Sequence, residues 1–325
     1  MWFKNLCLFQ FTETFSLTPG ELEGLLAAHP LGNCPGGSPS AQGWLPVISE
    51  GGLADGFDRH LFVHYGEKQR LLPGSVVSQA VQEKVEEYAQ QRGYKPGRKL
   101  RMEFKDEITA RLLPQAFVVQ KSQRAWLDGE RGWLVVDAAS ATQAEKLVEL
   151  MREHLPQLPR IILPETDVGA QTLLTEWLGR GSAPGRFALD DEAEVQGHEP
   201  TKATIRYSRM PVGSAEELRK HLNAGKRATK LGLCWDDRVS FVLTDTLQIK
   251  RLKLLDTQAE DDTVRDADPM LAFETDMRLM TGMLRELLAD LAQELGMRGP
   301  TVATGTAPLA AAAPPAHVTA VEGTP

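Results

Sequence analysis

The sequence predicts an α+β fold, antiparallel sheets with flanking helices, and three observations predict it. Strands are joined mainly by hairpins, as in "RAWLDGERGWLVVD", and helices stand in blocks rather than alternating one for one with strands. The segment "TKLGLCWDDRVSFVLTDTLQIKRLKLLD" alternates apolar and polar residues through three short strands, an antiparallel meander. Met270 to about Met297 carries apolar residues at the spacing of a long amphipathic helix. There is no internal repeat.

The elements follow in order. Asn5 to Phe11 reads as a strand. Thr18-Pro19-Gly20-Glu21 starts a helix, with Thr18 as N-cap, Pro19 in the first turn and Glu21 at the capping-box position. Leu22, Leu25 and Leu26 lie on one side of it, and it ends before Pro30. "GNCPGGSPSAQG" reads as a loop, on its Gly, Pro and Ser content. "HLFVHYGEKQRLLP" reads as a strand, a turn at Gly66-Glu67 and a second short strand. Val77, Val81, Val85 and Tyr88 are spaced for a helix from Ser75 to about Gln91, and a second helical piece follows the basic stretch and reaches "ARLLP". A hairpin turns at Gly129–Gly132, and Ser140 with Gln143 caps a helix to about Leu155. Beyond the proline-rich "LPQLPRIILPET", Ser214 with Glu217 makes a further capping box and Gly225 stops that helix. The meander turns at Asp236-Asp237 and near Asp245-Thr246. The expected division is an N-terminal α+β region over 1–160, a C-terminal one over 161–298, and a disordered tail over 299–325, rich in Ala, Pro, Thr and Gly.

Several function classes are excluded or unsupported by pattern. With 325 residues, 42% hydrophobic and 25% charged, the chain can bury a sizeable core as an ordinary globular protein. The opening "MWFKNLCLFQFTETFSL" is interrupted by Lys4, Asn5 and Gln10, unlike a signal peptide, and no apolar run is long enough for a membrane span. Cys7, Cys34 and Cys234 are scattered, so neither a disulfide framework nor a zinc site is indicated and a reducing cytoplasm is expected. No GxxxxGK[ST], GxSxG or HExxH occurs, and "GRGSAPG" at 179–185 lacks a phosphate-engaging Lys and reads as a surface turn. His60 and His64 share a strand face in a packing or surface role rather than as metal ligands. Asp256, Glu260, Asp261 and Asp262 raise the question of a two-metal nuclease, but without an accompanying Lys or His they read as a solvated acidic loop. No catalytic residue, metal or cofactor is expected.

Charge is the informative feature. The chain has a net charge of −8, yet residues 91–105 hold six cations and one acid, and residues 200–255 hold twelve cations and five acids. Residues 256–297 hold three cations and eleven acids, so the overall acidity is largely a property of that portion. Screening acts over about 8 Å at physiological salt, so a phosphate feels nearby cations and hardly feels carboxylates across a domain. Candidate nucleic-acid contacts are Arg98, Lys99, Arg101 and Lys105 in the first basic segment, and Lys226, Arg227, Lys230, Lys250, Arg251 and Lys253 in the second. Period-two alternation puts Arg251 and Lys253 on one face of their strand and turns Lys230 away from Leu231, Leu233 and Trp235. Ordinary solvated faces, intramolecular pairing and a dimer contact remain alternatives. Phe117 follows a helix end and a proline; it is either a core residue or an anchor in a partner's pocket.

"MWFKNLCLFQF", "GWLPV", "RLLPGSVVSQAVQEKV", "FKDEITARLLPQAF", "LTEWL", "AGKRATKLGLCWDDRVSFVL", "IKRLKLLD" and "FETDMRLMTGML", in this order, resemble the RdgC recombination-associated proteins from residue 1 to about residue 295. The resemblance implies an elongated, curved subunit that closes into a ring-shaped homodimer with an electropositive hole wide enough for duplex DNA. It implies a non-enzymatic, nucleoid-associated protein of the cytoplasm that binds double-stranded DNA with little sequence preference, with single-stranded DNA as a further candidate. Such a protein restrains the RecA recombinase by occupying DNA and needs no cofactor. It places Phe117 and Arg209 at dimer contacts, while Gln115 and Met210 depart from the commoner residues beside them. The competing expectation is a protein-interaction scaffold acting directly on a recombination or replication enzyme, through the acidic 256–276 stretch and the C-terminal helix.

Overall fold

The chain opens with β1 (Leu6–Phe11), buried along its whole length. In α1 (Pro19–Leu26) the expected capping box is formed: Thr18 Oγ1 accepts from the Glu21 N–H at 3.2 Å, and the Glu21 carboxylate accepts from the Thr18 N–H at 2.8 Å. β2 (Ser40–Leu45) takes up the end of the segment expected as a loop. β3 (Ala54–Phe57) and the long β4 (His60–Leu71) follow. β4 runs straight through the expected turn at Gly66-Glu67, because Gly66 is paired with Gly43 on one side and Ser122 on the other. The glycine serves close packing rather than turning: a Cβ there would lie 2.6 Å from side-chain carbons of both Leu31 and Leu45. The computed structural model describes residues 2–49, 51–197, 202–255 and 269–300.

α2 (Gly74–Arg92) and α3 (Arg98–Leu112) form a helical hairpin. The basic stretch does not precede the second helix; from Arg98 it is that helix's opening turns. β5 (Phe117–Asp128) and β6 (Trp133–Asp137) make the expected hairpin, whose turn is held by Asp128 Oδ1 accepting from the N–H groups of Glu130 and Arg131 at 3.1 and 2.9 Å. α4 (Ala141–His154) is capped by Ser140 Oγ, which accepts from the Gln143 N–H at 3.4 Å. β7 (Ile161–Ile162), α5 (Ala170–Arg180), β8 (Phe187–Gln196) and β9 (Thr204–Tyr207) have no counterpart in the pattern reading. α6 (Glu216–Asn223) starts at Ala215 without a side-chain cap; Ser214 Oγ donates instead to the Pro211 carbonyl at 3.3 Å, so the expected Ser214–Glu217 box is not formed. β10 (Arg227–Trp235), β11 (Val239–Thr244) and β12 (Ile249–Leu254) are the expected meander, with Asp236 and Asp237 at φ 53° and 52° in its first turn. α7 (Pro269–Leu295) is the expected long helix.

These strands form one antiparallel sheet in the order β2-β4-β5-β6-β1-β12-β11-β10-β8-β9, with β3 on β4 and β7 on β1. β1 meets β12 through the single register pair Leu6–Ile249, so the N- and C-terminal regions share the sheet. One core lies on one face along the whole sheet, where Leu174, Trp177 and Leu178 of α5 and Met280, Leu284, Leu287 and Leu291 of α7 pack on Trp126, Val135, Leu231 and Phe241. A second core lies on the other face, where Leu22 and Leu26 of α1 and Leu147, Val148 and Met151 of α4 pack on Phe9, Leu61, Val63 and Leu134. That second core draws only on β1–β7 with their neighbours. Over β8–β12, the second face carries Glu194, Lys230, Ser240, Lys250 and Lys253 around Val242.

Candidate nucleic-acid interface

The first basic group sits on α3. Gly97 precedes that helix without a side-chain cap, and its first turn holds no acid. Helix N-termini favour anions, so Arg98, Lys99 and Arg101 stand where the macrodipole disfavours them. Helix stability therefore gives no reason for these residues. All four candidates, Arg98, Lys99, Arg101 and Lys105, are exposed. Among the described residues none of them pairs with a carboxylate; Arg101 Nε donates to the Pro96 carbonyl at 3.1 Å. Arg98, Arg101 and Lys105 recur on one side of the helix and rim a groove of about 450 Å³ whose floor is Val77, Val81 and Val85 of α2.

The second group lies on the uncovered sheet face, and two irregularities decide which residues reach it. On β10 the pairing slips between Ala228 and Lys230, so that Arg227 faces Gln196 and Lys230 faces Glu194. On β12 it slips between the partners of Ser240 and Val242, so that Lys253 faces Ser240 and Lys250 faces Val242. Directly opposed residues share a face, and an extra residue breaks the period of two. Arg227 and Lys230, and likewise Lys250 and Lys253, come to the open face three residues apart. Arg251 occupies the irregular position at φ 54° and pairs with Glu192 of β8, whereas Lys253 has no acid partner among the described residues.

This face is not purely basic. β8 lays Asp190, Glu192 and Glu194 across it. Gly232 makes room for that strand, since a Cβ there would lie 3.0 Å from the Glu192 carbonyl oxygen. Asp190 accepts from Ser240 Oγ at 2.7 Å. Glu194 accepts from Lys230 Nζ at 2.9 Å, Arg206 Nε at 2.6 Å and Thr229 Oγ1 at 2.9 Å. Burial alone would raise the Glu194 carboxyl, but these three donors together hold it below the ordinary carboxylate range. Of the six candidates here, Lys230 and Arg251 are thus engaged by acids. Lys226, Arg227, Lys250 and Lys253 have no carboxylate partner among the described residues. Arg206, absent from the candidate cations, belongs to the same cluster; "DDEAEV" at 190–195 was the signal for its acidic partner.

The two residues assigned to dimer contacts lie far apart in the sheet. Phe117 opens β5 with 86% of its surface exposed, opposite Leu71 and beside Val118 and Val119, all exposed. It is not a core residue. Arg209 is exposed in the turn after β9, at φ 58°. β6, β1, β12, β11, β10 and β8 stand between β5 and β9 in the sheet.

The remaining candidates take structural roles or fall outside. His60 is buried and its Nδ1 accepts from Trp126 Nε1 at 3.0 Å, while His64 Nδ1 lies 2.8 Å from the Pro46 carbonyl. Burial lowers the pKa of both. Asp256, Glu260, Asp261 and Asp262 lie outside the described residues. Among the described residues there is no group of three His, Cys, Asp or Glu side chains that could hold a metal ion, and no helix long and apolar enough to cross a membrane.

Residues 1–298 match a protein family described as "Putative exonuclease, RdgC". Proteins named "Recombination-associated protein RdgC" are similar over nearly their whole length. That of Cupriavidus pinatubonensis is 40% identical over 302 residues, covering 91% of this chain and 98% of its own. Those of Cupriavidus necator and Dechloromonas aromatica are 39% and 37% identical over 300 residues, with the same coverage.

Proposed function

Because the chain belongs to the RdgC family, we propose that it is a recombination protein that binds duplex DNA non-enzymatically, closing around it as a homodimeric ring. It restrains RecA by occupying the DNA that RecA needs. The observation that carries this reading is the set of cations left without carboxylates on an acidic chain: Arg98, Lys99 and Lys105 on α3, and Lys250 and Lys253 on the open sheet face. Both groups present Lys and Arg with no base-reading pattern, which is the chemistry of phosphate contact regardless of sequence. Phe117 supports the dimer, since an exposed aromatic beside Leu71, Val118 and Val119 is an unburied apolar patch at the end of a strand pair. Because six strands separate Phe117 from Arg209 in the sheet, contact between them in the proposed dimer would join different copies.

The test uses topology. Protein loaded on relaxed circular duplex should survive a salt wash that removes it from the same duplex made linear, because an encircling ring leaves a linear molecule by its ends. Equal loss from both forms would overturn the ring. Inhibition of RecA strand exchange should rise with coverage of the duplex. The family description carries the word exonuclease, so the same two DNA forms are incubated with Mg²⁺: shortening of the linear form would replace the non-enzymatic reading.

A further inference from the structure

The candidate cations of the open sheet face are not equivalent, and β8 makes the difference. Glu194 has only 12% of its side chain exposed and holds three donors, Lys230 and Arg206 among them. The Lys230 side chain is two-thirds covered, while Arg206 reaches across from β9 with three-quarters of its side chain exposed. Beside this cluster runs a cleft of about 410 Å³, lined by the cations Lys230 and Lys250, the carboxylates Glu194 and Asp245, and Thr229 and Thr244. A phosphate entering it finds Lys250 without an acid partner, but finds Lys230 already paired with Glu194 and meets the Asp245 carboxylate as well.

We propose that Glu194 masks Lys230 and Arg206 from the DNA backbone and so limits how tightly this face holds phosphate. This rests on the reading of the face as a duplex-binding surface. A phosphate could take the full charge of the two cations only in competition with Glu194. That would leave a largely covered carboxylate with Thr229 as its remaining donor and next to the incoming anion, both of which are costly. The Glu192–Arg251 pair is the more exposed version of the same device, with 30% and 56% of the side chains in contact with solvent. Pairs of that kind are weak and exchange readily. Glu194 therefore engages two cations with one negative charge, and Glu192 engages one more loosely.

The experiment compares E194Q with E176Q. Both remove one negative charge and free cations, but Glu176 pairs with Arg180 on α5, against the opposite face of the sheet. Binding of the full chain to a labelled duplex is measured between 50 and 200 mM salt. Each newly available phosphate contact steepens the logarithmic salt slope by about 0.9, which widens the ratio of the two affinities by about 3.5-fold. E194Q should add up to two contacts per chain, hence up to about 12-fold, and E176Q none. A cycle with K230Q completes the test: it should cost clearly more affinity in the E194Q background, where it removes most of the gain, than in the native background. E194Q binding no tighter than E176Q overturns the proposal, as does a loss from K230Q that is the same in both backgrounds. If E194Q does not fold, E192Q decides, with a gain of up to about 3.5-fold expected and no gain overturning the masking by β8. Native protein that fails to bind duplex at all would overturn the duplex reading itself, and the masking proposal with it.

Discussion

Replacing Arg98 and Lys99 by glutamine separates a functional basic patch from an ordinary charged surface, because the two readings move stability and binding differently. Both residues lie in the first turn of α3, where no acid is present and the unsatisfied N–H groups already make the helix end positive. A cation there costs about 0.3 kcal/mol at an exposed site, the low end of the macrodipole range. Removing two should therefore stabilise the fold by about 0.6 kcal/mol and raise Tm by about 1–2 °C. Neither side chain has an ion-pair partner among the described residues that would offset this gain. If both meet phosphate, the salt slope for duplex binding becomes shallower by about 1.8 per chain, and the ratio of affinities at 50 and 200 mM salt narrows by about 12-fold. Fluorescence anisotropy with a short labelled duplex reads the slope, and differential scanning calorimetry reads Tm. Unchanged binding would refute a role for Arg98 and Lys99 in DNA contact. A fall in Tm of several degrees would refute the argument that these cations do nothing for the helix.

Three further outcomes follow from the structure. F117S should shift the sedimentation of the protein toward monomer while changing Tm little, since an 86% exposed ring contributes under about 0.5 kcal/mol to the subunit's own fold. L287A removes a fully buried side chain of α7 from the core that spans the whole sheet, and should cost about 2–5 kcal/mol in denaturant titration. His60 is held below its ordinary value of 6.5, first by burial and then by Arg285, against the opposing pull of Asp128. The unfolded chain thus binds the proton more readily, and the stability contributed by neutral His60 is lost as pH falls below about 6.5. H60N keeps an acceptor for Trp126 Nε1 and should flatten the fall of Tm on acidification through that range.

Where a local interaction decided the outcome, the sequence was sufficient. The Thr18–Glu21 box, the Ser140 cap, the Asp236-Asp237 turn and the apolar stripe of α7 each depend on residues a few positions apart, and each is present as expected. Failures came where a distant segment supplied the reason. Gly66 is a turn residue in isolation, but between β2 and β5 it is the one residue small enough for Leu31 and Leu45 to close over. Ser214 has the right partner three residues on, yet the Pro211 carbonyl claims its hydroxyl. β8 resists recognition because its pairing shifts between Leu189 and Ala193, and the acids in between break the period of two.

By itself, the sequence determined that this acidic chain concentrates Lys and Arg in two segments, which elements carry them, and which family the chain resembles; composition and short-range periodicity hold that information. The tertiary structure alone decided which of those cations are available. It set Arg98, Lys99, Arg101 and Lys105 on a helix without opposing acids, brought Lys250 and Lys253 to one face through a displaced residue, and laid Glu192 and Glu194 over Arg251 and Lys230. The physical reason is that an ion pair depends on a few ångströms in space, and Glu192 reaches Arg251 from 59 residues away along the chain.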